Sequence, residues 1–312
     1  MLFDRIDIYW TEEVLASKLS HMKHKTTVSL VLGGGGARGL AHIGAIQWLS
    51  ENGYTIKSIA GTSMGALVGG IYASGKLEAY TEWVSTLDKI DILRLLDPAF
   101  GRSGFFKGDR IFSLLRKLVG DTSIEKLPLA FTAVATDLET GKEVWLRQGK
   151  LFDAIRASIA IPLIFTPFKY DHRQLLDGSL VNPVPIAPTL NDTTDLTIAI
   201  SLSGQDERRF DRPARTSDPK DALYSAQIET AMQIPQPSTL VEVAVPGMIS
   251  IVLKSMDTMQ STIARLKLAA YSPDVLVEIP HNACQFHEFW RAKELIAFGR
   301  ERTARTFSQM KS

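Results

Sequence analysis

Short aliphatic and β-branched runs alternate along this chain with stretches whose apolar residues return every three or four positions. The run "TVSLVL" opens the pattern at residue 27. "GLAHIGAIQWLSENG" follows it, with Leu40, Ile43, Ile46 and Leu49 on one helical face and Asn52-Gly53 ending the helix. "IKSIAG" then feeds a small-residue helix, "TSMGALVGGIYASG", that stops at Gly75. Further strands are expected at 129–138, 142–147, 173–178, 195–202 and 274–279, most of them separated by helical segments. Alternation of this kind predicts an α/β fold around a largely parallel sheet.

Three breaks interrupt the pattern. The first, 97–108, is rich in turn residues and carries Phe100, Phe105 and Phe106, which read equally as a lipid-facing lip and as inward packing. In 203–220 five basic and four acidic residues crowd around two prolines, as in a solvated loop. The third, 233–239, precedes an amphipathic segment from 246 to about 270 with Met248, Met256 and Met259. Core packing or a homodimer surface is the reading given to that segment, ahead of an acyl-chain wall. Leu295, Ile296 and Phe298 of the last helix are read as core in the same way. No internal repeat is present, so we divide the chain into an N-terminal extension (1–26) without assigned chemistry, one domain (27–300) and a C-terminal tail (301–312).

A chain of 312 residues with 45% apolar composition can bury one large core. Thirty-five basic residues against thirty-four acidic ones leave a net charge of +1, which supplies no global field for a nucleic acid. A single cysteine, Cys284, excludes an internal disulfide framework and suits a reducing compartment. The N-terminus lacks the basic start, apolar stretch and cleavage site of a secretory signal, and no apolar run reaches the roughly eighteen residues of a membrane span. The expectation is a cytoplasmic protein, with peripheral contact to a membrane left open.

Candidate chemistry begins in "VLGGGGARGL". Four glycines between a strand and a helix let several backbone N–H groups point into one space, which suits negative charge. Gly34-x-Gly36-x-x-Gly39 matches a dinucleotide fingerprint, but no acidic residue follows the next strand to hold a ribose. Nor do Lys and Ser or Thr follow Gly39, as a phosphate loop requires. One crossover later comes Gly61-Thr62-Ser63-Met64-Gly65, a G-x-S-x-G pentapeptide at a strand-to-helix junction. A sharp turn there projects Ser63 above the sheet as a nucleophile candidate, with Gly61 and Gly65 small because a Cβ would clash with neighbouring backbone.

A serine nucleophile needs a base. The six histidines are His21, His24, His42, His172, His281 and His287, and none ends a strand as a triad histidine loop would. A desolvated carboxylate can serve instead. Asp177, before Gly178 at a strand end, is one candidate, although alone the pair reads as an Asp-Gly turn.

Taken together, "GGGGARG" (33–39), "GTSMG" (61–65) and "DGS" (177–179), in this order and spacing, resemble the patatin-like phospholipases of the bacterial single-domain kind. "AIRASIAIP", "LVNPVP" and a final strand and helix extend the resemblance over roughly residues 27–300. It implies a three-layer α/β/α sandwich with a mainly parallel central sheet and a nucleophile elbow. It also implies a Ser63–Asp177 dyad in which Ser63 is nucleophile and Asp177 general base. The glycine loop, Gly34, Gly35 and Gly36 with Arg38 bracing it, would form the oxyanion hole, and Gly39, Gly61, Gly65 and Gly178 would be motif glycines. The implied reaction is hydrolysis of phospholipids or related acyl esters through an acyl-serine, with neither metal nor cofactor. A non-catalytic regulatory or scaffold role on the same fold is the alternative. Two departures are visible: Ser179 stands where the family commonly has Gly or Ala, and no glycine follows Pro162.

Overall fold

The computed structural model describes residues 25–95, 97, 104–210 and 248–310. The N-terminal extension through residue 24, half of the 97–108 break, the greater part of 203–220 and all of 233–239 lie outside the described residues.

β1 (Thr27–Leu32), β2 (Thr55–Thr62), β4 (Ala130–Asp137), β9 (Leu196–Gly204) and β10 (Val275–Pro280) run parallel in the order β10-β9-β1-β2-β4. β5 (Glu143–Leu146), β7 (Phe168–Tyr170) and β8 (Arg173–Asp177) complete the sheet with antiparallel pairings at the β4 end. β3 (Gly104–Phe106) and β6 (Leu163–Phe165) form a separate parallel pair. The centre of the sheet is buried on both faces, so β1 reads as a nearly continuous apolar run instead of an alternating one.

The two faces are unequal. Val28, Leu30 and Leu32 of β1, with Val275, Val277 and Ile279 of β10, enter one large core. It also takes in residues of α1 (Ala41–Glu51), α2 (Met64–Ala73), α6 (Leu151–Ser158) and α8 (Ala292–Gln309). The alternate residues, Val31, Ala199 and Leu276, join a small cluster with Val184, Ile186 and Ala264. Ala264 belongs to α7 (Met248–Ala270), the long helix laid over that thinner layer. The sandwich expected from the sequence is present, a mixed α/β fold with helices on both faces of a central sheet. Three smaller helices, α3 (Leu77–Val84), α4 (Lys89–Leu95) and α5 (Asp109–Val119), stand between α2 and β4 in the chain.

Two expectations change. The domain boundary at 300 falls inside α8, where Thr303 and Phe307 are buried, so the chain through Gln309 belongs to the fold. α7 is not a core helix: of its described side chains only Ala264 is fully buried.

α1 and α8 cross at backbone distance. A Cβ on Gly44 would lie 1.9 Å from the Ile296 carbonyl oxygen, and one on Gly299 would lie 2.0 Å from that of Ala41. Neither obstacle is a flexible side chain, so a methyl group has nowhere to go. Gly44→Ala is expected to lower the unfolding free energy by about 1–3 kcal/mol, read from the denaturant midpoint at unchanged slope. A midpoint equal to wild type would show that the helices separate freely.

Candidate active site

The site is built along one edge of β4. β2 pairs with β4 up to Thr62 opposite Val134, and β8 pairs with it from the other end, Asp177 opposite Ala135. β5 occupies the far edge over Ala133–Thr136, so β2 and β8 share the near one and meet end to end. Residues 114 apart in sequence are thereby neighbours, and the Ser63 hydroxyl donates to Asp177 Oδ2 at 2.6 Å.

Ser63 sits on a sharp elbow with φ 54° and ψ −122°, a backbone conformation that L residues rarely adopt. A Cβ on Gly61 would meet Gly65 backbone at 2.5 Å, and one on Gly65 would lie 2.0 Å from the Leu32 carbonyl oxygen, so both flanks require glycine. Three hydrogen bonds hold the turn. The Ser63 carbonyl accepts the Leu67 N–H that starts α2, and Thr62 Oγ1 donates to the Asn182 carbonyl. The Ser63 N–H donates to Ser158 Oγ at 2.9 Å, and the Ser158 hydroxyl in turn donates to the Val134 carbonyl at 2.6 Å. Ser158, fully buried at the end of α6, is the residue that sequence reasoning missed. Its only signal is an isolated hydroxyl within the apolar run "AIRASIAIP".

Asp177 is buried, with Oδ1 accepting the Ser179 N–H at 2.7 Å. Its own N–H donates to the Ala160 carbonyl, and its carbonyl accepts the Thr136 hydroxyl. Burial pushes the carboxyl up to about 6, against the opposing bonds from Ser63 and Ser179. Gly178 lets the chain leave at once, because a Cβ there would lie 2.2 Å from the Val134 carbonyl oxygen.

The glycine loop lies against this pair. A Cβ on Gly34 would fall 2.1 Å from Ser179 Oγ and 3.2 Å from Ser63 Cβ, and one on Gly39 2.4 Å from Met64 Cβ. The Gly34 N–H donates to the Pro183 carbonyl at 3.0 Å, so Gly34 is not a donor for an oxyanion; it serves the loop by its smallness. The N–H groups of Gly33 and Ala37 are likewise engaged, by Ile200 and Phe286. Gly35 and Gly36 are the loop donors without a protein acceptor among the described residues, and Gly36 lines the same cavity as Ser63. Arg38 Nε donates to the Gly35 carbonyl at 3.1 Å, and its other nitrogens reach the His281 carbonyl and Asp257. The Gly35 carbonyl and Gly36 N–H share one planar peptide, so fixing the first fixes the second.

Comparison with known proteins bears on this arrangement. The family model for the patatin-like phospholipases matches residues 30–190. An uncharacterized NTE family protein of Mycobacterium tuberculosis is 39% identical, over 88% of this chain and 89% of its own length. The chain belongs to the patatin-like phospholipase family. The mouse patatin-like phospholipase domain-containing protein 6 is 30% identical over 61% of this chain and 14% of its own length. Among solved structures, VipD from Legionella pneumophila covers 91% of this chain and 67% of its own at 13% identity and a TM-score of 0.45, too loose a likeness to bear on the site. Family membership supports a lipid acyl hydrolase at the general level.

In this patatin-like chain an apolar cavity leads away from Ser63. Met64 and Leu67 of α2 begin it, Trp83 and Val84 of α3 and Ile111 and Leu115 of α5 continue it, and Ile161, Phe286 and Phe289 close its sides. Phe106 packs inward into the large core; Phe100 and the Phe105 side chain lie outside the described residues. The remaining candidates fall elsewhere. His42 Nε2 hydrogen-bonds the Gly33 carbonyl, and burial lowers its pKa to about 4, leaving a neutral ring that props the loop. His172 is exposed, His281 pairs with Asp257, His287 packs on Trp290, and His21 and His24 lie outside the described residues. Burial pushes the Cys284 thiol up to about 12, which keeps it protonated. No helix among the described residues is long and apolar enough to cross a membrane, and none of their side chains form a metal-binding cluster.

The raised Asp177 pKa has a stability consequence. The native carboxyl binds its proton more tightly than the unfolded one at 3.8, so its contribution is largest below that pH and falls as pH rises through about 6. Asp177→Asn is therefore expected to stabilise the fold by about 1–3 kcal/mol at pH 8 and by little at pH 4, measured by chemical denaturation at both. An equal effect at the two pH values would count against a penalised buried charge.

Proposed function

We propose that the protein is a serine lipid acyl hydrolase that opens carboxylic esters of phospholipids or related acyl lipids through an acyl-serine intermediate. The observation that carries this reading is the 2.6 Å Ser63–Asp177 hydrogen bond at one end of an apolar cavity.

In the first half-reaction Ser63 Oγ attacks the acyl carbonyl carbon as its proton passes to Asp177. The carbonyl oxygen takes the negative charge, stabilised by the preset N–H groups of Gly35 and Gly36. Collapse of the tetrahedral intermediate breaks the ester C–O bond, and Asp177 returns the proton to the departing alkoxide. Water then attacks the acyl-serine, its proton goes to Asp177, and the carboxylic acid leaves as Ser63 regains its hydrogen. A carboxylate raised to about 6 is ionised at neutral pH yet basic enough to hold a proton transiently. The apolar cavity suits the acyl chain and the polar remainder of the lipid stays toward solvent.

Intact-mass measurement after fluorophosphonate treatment should show one adduct on wild type and none on Ser63→Ala. Asp177→Asn is expected to fold and to lose kcat/KM by about 10³-fold or more. For wild type, kcat/KM should climb as pH rises through about 6 and then level off. Unlabelled, folded wild type in the presence of lipid micelles would favour the regulatory or scaffold reading, and an active Asp177→Asn would mean that another group is the base.

Acyl length gives a separate check on the cavity. Along a series of p-nitrophenyl esters from acetate to octanoate, kcat/KM is expected to rise by up to about fourfold per added methylene. A flat series would place the acyl chain elsewhere.

A further inference from the structure

The outward face of α7 is unusual for a surface helix. Ile251, Val252, Met259 and Leu266 are 47, 40, 55 and 65% exposed, and Ser255 and Thr262 lie between them on the same arc. At 100° per residue these six positions fill about a third of the circumference without a charged side chain. The opposite arc carries Leu253, Asp257, Ala264 and Leu268, which face the protein. The charges sit on the shoulders of the exposed stripe: Lys254 and Arg265 on one side, and on the other Lys267, which shares a 4.0 Å ion pair with Glu143. The helix has one acid, Asp257, and it is turned inward onto Arg38 and His281. Tyr271, amphipathic and partly exposed, follows the last turn.

We infer that α7 is a docking helix that lies flat on an anionic lipid surface. Its 23 residues span about 35 Å, with an uncharged apolar face bounded by basic side chains, the arrangement of an in-plane interfacial helix. The apolar residues enter the headgroup boundary while Lys254 and Arg265 keep their charged ends at phosphate level. Charge decides against a second copy of this chain as the occupant. Two such helices laid face to face would bring basic shoulders together with no outward acid to pair with them. The docking surface is also one ion pair from the glycine loop, because Asp257 grips the arginine that holds the Gly35 carbonyl. The inference rests on the surface of α7 and holds whether or not Ser63 is a nucleophile.

The test is co-sedimentation of the full-length protein with vesicles of phosphatidylcholine, with and without phosphatidylglycerol, beside light scattering for molecular mass. Wild type and Ser63→Ala should both bind the anionic vesicles, and added salt should weaken the binding. Met259→Glu/Leu266→Glu, at exposed positions that leave the core intact, is expected to lower partitioning by about tenfold or more while hydrolysis of a short, water-soluble ester stays as in wild type. Lys254→Gln/Arg265→Gln should lose the preference for phosphatidylglycerol. Equal partitioning of the Glu variant and wild type would overturn the inference. So would a wild-type dimer that the Glu variant dissolves without any change in vesicle binding. Loss of ester hydrolysis in wild type with vesicle binding retained would overturn the enzymatic reading alone.

Discussion

The Ser63–Asp177 contact depends on a single peptide step, Val134 to Ala135 in β4, where one strand edge passes from a parallel partner to an antiparallel one. The edge has no room for both strands at once, so β2 must turn off into α2 where β8 arrives. Ser63 stands at the turn and Asp177 at the arrival. The Val134 carbonyl, left over at the changeover, accepts the Ser158 hydroxyl, and Ser158 in turn accepts the Ser63 N–H. The distance between Ser63 and Asp177 is thus set by β-sheet register, which is far stiffer than any loop.

The second constraint is a carboxylate buried with no cation beside it among the described residues. Asp177 is held by neutral donors, a hydroxyl and a backbone N–H, and these offset only part of its desolvation. An arginine at the same place would steady the fold and keep the carboxyl ionised, since a salt-bridged carboxylate has little affinity for a proton. The loop arginine is kept on the far side of the glycine backbone, where it is spent on Gly35, His281 and Asp257. The same burial that raises this carboxyl's affinity for a proton also costs the fold stability above about pH 6.

Local pattern in the sequence placed seven strands to within a residue or two, because β-branched runs bounded by Gly and Asn are short-range signals, but it missed the three-residue strands β3, β6 and β7, too short to show a period. The elbow and its flanking glycines were readable for the same reason. What stayed hidden depends on contacts distant in sequence. That the Gly34 N–H is taken follows from Pro183, some 150 positions on, and the role of Ser158 follows from Val134 in another strand. The antiparallel run of β8 also has no local mark, since a strand of "RQLLD" reads the same in either direction. α7 shows the reverse problem: an amphipathic period reveals that two faces exist, and only the structure says which one meets the protein. The missing glycine after Pro162 has a counterpart in the backbone, where Leu163 is held at φ 69°, a conformation that glycine adopts without strain.

The anchors of the glycine loop come from late in the chain. Ala37 is tied to Phe286, Arg38 to His281 and Asp257, and α1 is gripped by α8 through Gly44 and Gly299. A ribosome makes the loop and the elbow early, but the groups that hold the loop in shape emerge some 240 residues after it. A nascent chain therefore carries the serine elbow before the glycine loop beside it has its braces, which arrive with the segments around β10 and α8. Order of synthesis thus leaves the glycine loop to be braced last, long after the elbow it packs against has been made.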